Sequence, residues 1–203
     1  MRNRRTPLCT IALIIINIAV FLILSFGGMT ENALYMAGHG AMYVPYFLYN
    51  KEYYRIFTCM FLHFGFEHLM NNMVTLFIVG RYVESIVGKV RFVIIYLISG
   101  LGGSALSLIA EYYTGDYAVS AGASGAIFGL TGALLSLAIL NRGQIAGLTK
   151  RGILLMIVLS LYNGFASEGV DNLAHVGGLV CGFLVTFILC FPRYAKRYTN
   201  TYH

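Results

Sequence analysis

The stretch that decides the fold is residues 122–140, Gly-Ala-Ser-Gly-Ala-Ile-Phe-Gly-Leu-Thr-Gly-Ala-Leu-Leu-Ser-Leu-Ala-Ile-Leu, which carries no charged side chain. About 20 such residues are enough for a helix to cross a bilayer. Five further apolar runs with few or no charges predict six helices in all, with ends good to a few residues, near 8–26, 66–83, 92–110, 122–140, 152–166 and 173–191. Only 11% of the residues are charged, against about 25% in soluble domains. We therefore predict an all-α membrane protein, a bundle of six transmembrane helices.

The length and charge of the chain limit what else it can contain. Six spans of about 20 residues leave only about 80 residues, so residues 1–203 are predicted to form a single membrane domain. The net charge is +6, but the Lys and Arg residues lie at the ends of apolar runs and form no stripe, which argues against a nucleic-acid partner. Residues 25–28, Ser-Phe-Gly-Gly, make a poor signal-peptide cleavage site, so the first run is predicted to be a retained anchor.

The positions of the basic residues predict the orientation in the membrane. Twelve of the fourteen Lys and Arg residues lie in the two terminal segments and in the second and fourth connections. The opposite side holds only Lys51 and Arg55, together with most of the acidic residues. Basic residues favour the cytoplasmic side, so both termini are predicted to be cytoplasmic.

The first outer loop, about residues 27–65, is much longer than the other connections. It mixes aromatic and charged residues in 42–49 and 53–57, as segments in the lipid headgroup layer do. We predict a partly inserted interfacial hairpin. For any one tyrosine, a simple anchoring role at the interface is an equal alternative.

Polar side chains inside predicted spans are costly and therefore candidates for function. These are Glu67, His68, Asn71, Asn72, Ser124 and His175. His68 and Asn72 are four residues apart and share a helix face. The second, fourth and sixth spans all enter from the outside, so these groups are predicted to meet below the outer surface, in a cavity that admits water and that His63 or Asn71 also lines.

Ser124 opens the fourth span, where backbone N–H groups without helical partners could hold an oxyanion. Glycines in the fourth and sixth spans permit close helix contact, so that Ser124 and His175 could meet, as nucleophilic catalysis requires. Simple packing glycines are an alternative that coexists with this interpretation. The glycines concerned are Gly122, Gly125, Gly129, Gly132, Gly178 and Gly182.

Other catalytic classes fit the sequence less well. His63 and His68 have neither spacing of the known zinc-protease motifs, so no metal is predicted. An intramembrane aspartyl protease needs two carboxylates in spans, and only Glu67 lies in one. Asp171 stands four residues before His175, but we interpret Asp171 or Asn172 as the N-cap of the sixth helix.

Three short motifs in order resemble the rhomboid family of intramembrane serine proteases. They are His68-x-x-x-Asn72, Gly122-Ala123-Ser124-Gly125, and Ala174-His175-Val176-Gly177-Gly178 followed by Gly182. Tyr54-Arg55 and Gly80-Arg81-x-x-Glu84 are similar to secondary signatures of that family. The resemblance runs from about residue 54 to residue 182.

The resemblance implies roles for individual residues. Ser124 is the expected nucleophile and His175 the general base, with an acyl-enzyme intermediate and no cofactor. His68, Asn72 and the Ser124 backbone N–H are the expected oxyanion donors. Phe128 is expected to pack on the imidazole of His175.

The resemblance also implies a substrate and a location. Single-span membrane proteins would be cleaved near the outer end of their transmembrane helix, and residues 163–170 could gate their entry. We expect a multi-pass protein of a prokaryotic cell membrane, with its site open to the extracytoplasmic side. The alternatives are a rhomboid-like pseudoprotease that binds membrane-protein clients and a small transporter, for which we see no internal repeat.

Overall fold

The computed structural model describes residues 6–199, with the backbone alone for residue 193 and residues 195–199. The described chain is mostly helical. In chain order its elements are α1 (Leu8–Gly27), α2 (Ala33–Gly38), α3 (Val44–Leu48), α4 (Arg55–Thr58), a 3₁₀ helix (Cys59–Phe61), α5 (Gly65–Val87), α6 (Lys89–Thr114), α7 (Ser124–Leu140), β1 (Gln144–Ile145), β2 (Leu148–Thr149), α8 (Lys150–Ala166) and α9 (Asn172–Thr199). Strands β1 and β2 form one antiparallel hairpin between α7 and α8.

Each predicted span corresponds to a long helix of the structure. Within the described residues, α1, α6 and residues 172–192 of α9 are long and apolar enough to cross a membrane, and α7 is apolar but shorter, with 17 residues. The protein is therefore a multi-pass membrane protein. Helix α9 continues through Pro192 to Thr199, beyond the predicted end at residue 191.

The start of the fourth helix differs from the predicted boundary by two residues, and the difference matters for the site. The fourth span was predicted to begin at Gly122, but α7 begins at Ser124. Gly122 has φ +148°, a backbone conformation that glycine adopts readily and other residues avoid. Ser124 is therefore the first residue of α7 rather than the third.

The first outer loop, predicted to be a partly inserted interfacial hairpin, is folded into short helices. It contains α2, α3, α4 and the 3₁₀ helix. The guanidinium of Arg55, whose side chain is buried, donates to the carbonyl oxygens of Ala37 (2.6 Å) and Ala41 (2.7 Å). It also forms a salt bridge with Glu52, and hydrogen bonds from Tyr54 and Arg55 lower the pKa of that carboxyl. A buried arginine thus ties together a segment that lacks long helices.

Helix α7 lies at the centre of the bundle, with 13 of its 17 residues buried. It packs against α9 through glycines. A Cβ atom on Gly178 would lie 2.0 Å from the Gly125 carbonyl oxygen, and one on Gly182 would lie 2.0 Å from that of Gly129. Small residues allow helix backbones to approach this closely in membranes. In α8, by contrast, only Ile153, Ile157 and Gly164 are buried.

The start of α1 is held by a side chain 74 residues away. Both carboxylate oxygens of Glu84, near the end of α5, accept hydrogen bonds from α1: from the Cys9 N–H (3.0 Å), the Thr10 N–H (2.8 Å) and the Thr10 hydroxyl (2.8 Å). Glu84 therefore caps the N-terminus of α1, where backbone N–H groups lack helical partners and negative charge is favoured.

We predict that Glu84→Ala lowers the free energy of unfolding by about 2–4 kcal/mol, because it leaves three donors of α1 without an acceptor. The measurement is thermal or denaturant unfolding of the purified protein in detergent. Glu67→Ala is the matched control, since Glu67 lies in the same helix and is exposed. Equal stability of the two variants would contradict the capping role.

Candidate functional site

Ser124 and His175 are hydrogen-bonded across the contact between α7 and α9. His175 Nε2 lies 2.9 Å from Ser124 Oγ. The contacts between Gly125 and Gly178 and between Gly129 and Gly182 bring the two helix backbones together. The short serine side chain can therefore reach the imidazole. The distance is in the range that a nucleophile and its general base require.

An aromatic ring and the close packing of α7 against α9 restrain the imidazole of His175. The ring of Phe128, one turn after Ser124, stacks on it with centroids 4.2 Å apart and an interplanar angle of 15°. Gly125 leaves the room for the α9 backbone, since a Cβ there would be 3.3 Å from the Ala174 carbonyl oxygen. His175 is only 7% exposed. Its ring is therefore held in one orientation towards the serine.

Asp171 caps α9, as predicted. One carboxylate oxygen accepts from the Ala174 N–H at 2.9 Å, and the other accepts from the Ser107 hydroxyl at 2.7 Å. Both oxygens are thus engaged with groups other than the imidazole of His175. The carboxylate orients the helix that carries the histidine and does not contact the ring as a third member of a triad would.

His68 lies beside the turn that precedes Ser124. A Cβ on Gly122 would be 3.0 Å from Cε1 and 3.1 Å from Nε2 of His68, and 3.6 Å from Ser124 Oγ. The missing side chain of Gly122 therefore leaves a space bounded by the His68 ring and the Ser124 hydroxyl. This space lies at the N-terminus of α7.

His63 has a larger part in the site than the sequence analysis gave it. Its Nε2 accepts a hydrogen bond from the Ala123 N–H (3.4 Å), and its ring meets that of His68 edge to face at 5.2 Å. The side chain is fully buried, and burial together with the neighbouring His68 lowers the pKa of His63. A neutral His63 can thus accept from the backbone next to Ser124. The only indication in the sequence was that His63 stands five residues before His68. That spacing matches no known motif and did not predict the contact.

The 3₁₀ helix supports the turn that precedes Ser124. The Cys59 carbonyl oxygen accepts from the Gly122 N–H at 2.9 Å. Two residues before Gly122, Ser120 exchanges two backbone hydrogen bonds with Met42, of 2.8 and 2.9 Å. The folded first loop is thus the support on which the chain enters α7.

The other polar residues of the second span divide between two faces. Asn72 is buried, and its Nδ2 donates to the His68 carbonyl oxygen of its own helix at 2.9 Å. Glu67 and Asn71 are exposed on the outer face of α5. Of the two alternatives predicted for the cavity, His63 or Asn71, the structure therefore excludes Asn71, because one residue along a helix turns the side chain by about 100°.

A small polar pocket of about 30 Å³ adjoins Ser124. Its walls include Cys59, Ser104, Ser120 and Asp171, together with the glycines on either side of Ser124. This volume is enough for about two water molecules. Among residues 6–199, no group of three His, Cys, Asp or Glu side chains could hold a metal ion. The donors at this site are a hydroxyl, imidazoles and backbone N–H groups.

The fold and site thus define a helical membrane protein with a Ser-His pair at a helix N-terminus. The chain belongs to the rhomboid family, because residues 50–192 match the Rhomboid domain. It is 36% identical to Rhomboid protease GluP of Bacillus subtilis (strain 168) over 187 residues, which are 92% of this chain and 36% of that protein. It is 43% identical to RHOMBOID-like protein 5 of Arabidopsis thaliana over 148 residues, 70% of this chain and 46% of that protein.

A shorter relative is matched over most of both chains. Putative rhomboid protease YdcA of Bacillus subtilis (strain 168) is 34% identical over 149 residues, 73% of each protein. The chain spans between a third and a half of the length of the first two relatives.

Proposed function

We propose that this protein is an intramembrane serine endopeptidase that uses Ser124 and His175 as a catalytic dyad. The observation that carries the proposal is the 2.9 Å contact between Ser124 Oγ and His175 Nε2, in a rhomboid-family chain whose relatives include named proteases. A hydroxyl is a weak nucleophile until an adjacent base takes its proton, and a hydrogen-bonded imidazole supplies that base.

Acylation follows from this geometry. Ser124 Oγ attacks the carbonyl carbon of the scissile peptide bond while its proton passes to His175 Nε2. The tetrahedral intermediate then collapses, the C–N bond breaks, and His175 returns the proton to the leaving amine. The product is an ester between the substrate carbonyl and Ser124.

The oxyanion formed in this step needs hydrogen-bond donors. The Ser124 N–H lies at the start of α7, where the helix dipole favours negative charge, and the His68 ring borders the same space. These two groups, with Asn72 behind His68, are the proposed oxyanion site. Gly122 and Gly125 keep that site open, and Gly178 keeps α9 against it.

Deacylation requires water inside a membrane protein. The pocket next to Ser124 has polar walls and room for about two waters. One water attacks the acyl ester, His175 takes its proton, and the same proton then goes to Ser124 Oγ as the ester bond breaks. The enzyme returns to its starting state without a cofactor.

The arrangement of the helices suggests how the protein sits in the bilayer. Six spans, namely α1 and α5 to α9, would place both termini in the cytoplasm. The bonds from Glu84 put the start of α1 beside the end of α5, close to the basic residues Lys89 and Arg91 that favour the cytoplasmic side. Ser124 lies at the opposite ends of these helices, so the site would open to the extracytoplasmic side of the cell membrane.

The substrates of such a site are single-span membrane proteins. A peptide bond in a regular helix is protected because its carbonyl group is hydrogen-bonded, so cleavage would occur where Gly or Pro loosens the substrate helix near its outer end. Residues 163–170 connect α9 to α8, which has few buried residues. They are the proposed gate through which the loosened part of the substrate helix enters.

The function is tested by incubating the purified protein, in detergent and in liposomes, with single-span substrates that carry Gly or Pro at defined depths. We expect cleavage near the outer end of the substrate helix, located by mass spectrometry of both products. A client-binding pseudoprotease would instead capture the same substrates intact. Binding without cleavage, by folded protein, would therefore favour that alternative.

We predict that His68→Ala lowers kcat by about 100-fold, since it removes a group bordering the oxyanion space. Asn72→Ala should cost less than about tenfold, because the Asn72 amide is bonded to its own helix. Both are measured as kcat and KM with one substrate. Asn71→Ala, on the exposed face of the same helix, is the control. An unchanged kcat in His68→Ala would remove His68 from the oxyanion site.

A further inference from the structure

Two buried polar atoms near His175 face the same position, the one that a side chain of residue 164 would occupy. His175 Nδ1 and Asn172 Oδ1 are buried and have no hydrogen-bond partner among the described residues 6–199. A Cβ on Gly164 would lie 2.5 Å from Asn172 Oδ1 and 3.6 Å from His175 Nδ1. Gly164, near the end of α8, therefore packs directly beside both atoms, and any side chain at this position would crowd them.

The orientation of the Asn172 amide is fixed by its other end. Its Nδ2 donates to the carbonyl oxygens of Gly164 (3.2 Å) and Val170 (3.3 Å). Two carbonyl groups can be satisfied only by the NH₂ side of the amide. Asn172 Oδ1 is consequently the end that faces Gly164, and it can act only as an acceptor.

The protonation of His175 makes the second atom a donor. A neutral imidazole carries one proton. Because Nε2 must accept the Ser124 proton in the proposed reaction, that proton is on Nδ1. Gly164 is thus flanked by one buried N–H donor and one buried carbonyl acceptor, and buried groups of both kinds are almost always hydrogen-bonded.

We propose that a water molecule beside Gly164 accepts a hydrogen bond from His175 Nδ1–H and donates one to Asn172 Oδ1. Asn172 is then a positioning residue, which acts through this water to hold the tautomer and orientation of His175. The inference rests on the proposed function. In three-residue hydrolases a carboxylate has this role. Here the neighbouring carboxylate of Asp171 is engaged in capping, and a neutral amide with water avoids placing another charge at membrane depth.

A pair of substitutions at one position tests the water. Gly164→Ala and Gly164→Ser introduce the same Cβ, with the same crowding of Asn172, but only serine offers a hydroxyl that can bond to His175 in place of the water. We expect Gly164→Ala to lower kcat by about 10- to 100-fold with little change in KM, and Gly164→Ser to recover at least about tenfold. Gly152→Ala, in the same helix, is the control and should match the wild type.

The outcomes at Gly164 are decisive in both directions. Equal losses in the alanine and serine variants would show that crowding alone matters and would overturn the proposal. So would a wild-type kcat in Gly164→Ala. Thermal unfolding of each variant identifies a loss that is due to misfolding.

A second measurement needs no turnover and does not depend on how the variants at Gly164 fold. Nitrogen NMR of protein labelled in its histidine rings, with His175→Ala to assign the signals, should find the His175 proton on Nδ1 in the wild type. In Asn172→Ala this proton should exchange with solvent at least about tenfold faster. Protonation on Nε2 instead, or unchanged exchange, would overturn the proposal. Absence of cleavage by the wild type would count against the proposed protease function. The NMR result would still show whether the water holds the tautomer of His175.

Discussion

The Ser124→Ala variant is expected to lower kcat for a single-span substrate by at least about 10,000-fold, and His175→Ala should do the same. In the proposed mechanism Ser124 supplies the atom that attacks the peptide carbonyl. His175, 2.9 Å away, is the proposed base that takes its proton. Because the two residues would act as a unit, each loss should reach nearly the full catalytic contribution of the pair.

The control for this prediction lies in the same helix. Ser136 is a fully buried serine of α7, and Ser136→Ala should leave kcat close to that of the wild type. The double variant Ser124→Ala/His175→Ala should be no worse than either single variant, because the two residues act as a unit. Cleavage at the wild-type rate by folded Ser124→Ala would exclude Ser124 as the nucleophile.

The second large effect is expected from packing, in the Gly178→Ala variant. The added Cβ would lie 2.0 Å from the Gly125 carbonyl oxygen and 2.7 Å from its carbon. These are backbone atoms of the serine helix, so no side-chain rotation can relieve the overlap, and α9 must move away from α7. A displacement of about 1 Å costs about 100-fold in rate when reacting groups are involved.

We therefore expect Gly178→Ala to lower kcat by at least about 100-fold and the free energy of unfolding by about 3 kcal/mol. Gly152→Ala in α8 makes the same chemical change where the nearest atom is the Thr149 hydroxyl at 3.3 Å, and it should be nearly neutral. Unfolding in detergent and the cleavage assay check the two effects. A Gly178→Ala variant as stable and active as the wild type would contradict the close α7–α9 contact.

The helices of this fold could be predicted from the sequence because their signal is local. Runs such as residues 122–140 contain no charge, because a helix that is buried or in contact with lipid along its whole length must be apolar. The start of α7 was misplaced by two residues because the deciding feature is the φ angle of Gly122, which composition does not reveal. The bond between Glu84 and α1 joins residues 74 apart, and no local pattern indicates such a contact.

The candidate site was partly predictable for a similar reason. Ser124 and His175 lie at positions where small residues permit close helix contact, and Phe128 was expected from the resemblance to the rhomboid family. The three side chains are together in the structure. His63 was undervalued because its contact is with the backbone of Ala123, which leaves no trace in side-chain spacing. The face of a polar residue such as Asn71 depends on helix rotation, which is set by packing with neighbouring helices.

The most direct test of the central claim is whether Ser124 is an activated nucleophile. The measurement is labelling of the purified, detergent-solubilised protein with a serine-directed fluorophosphonate, followed by peptide mapping, with Ser124→Ala and His175→Ala alongside. The account predicts label on the peptide that contains Ser124, none in Ser124→Ala, and label reduced to background in His175→Ala. Folded wild-type protein that takes no label, or label on Ser124 that persists without His175, would contradict a Ser124–His175 dyad.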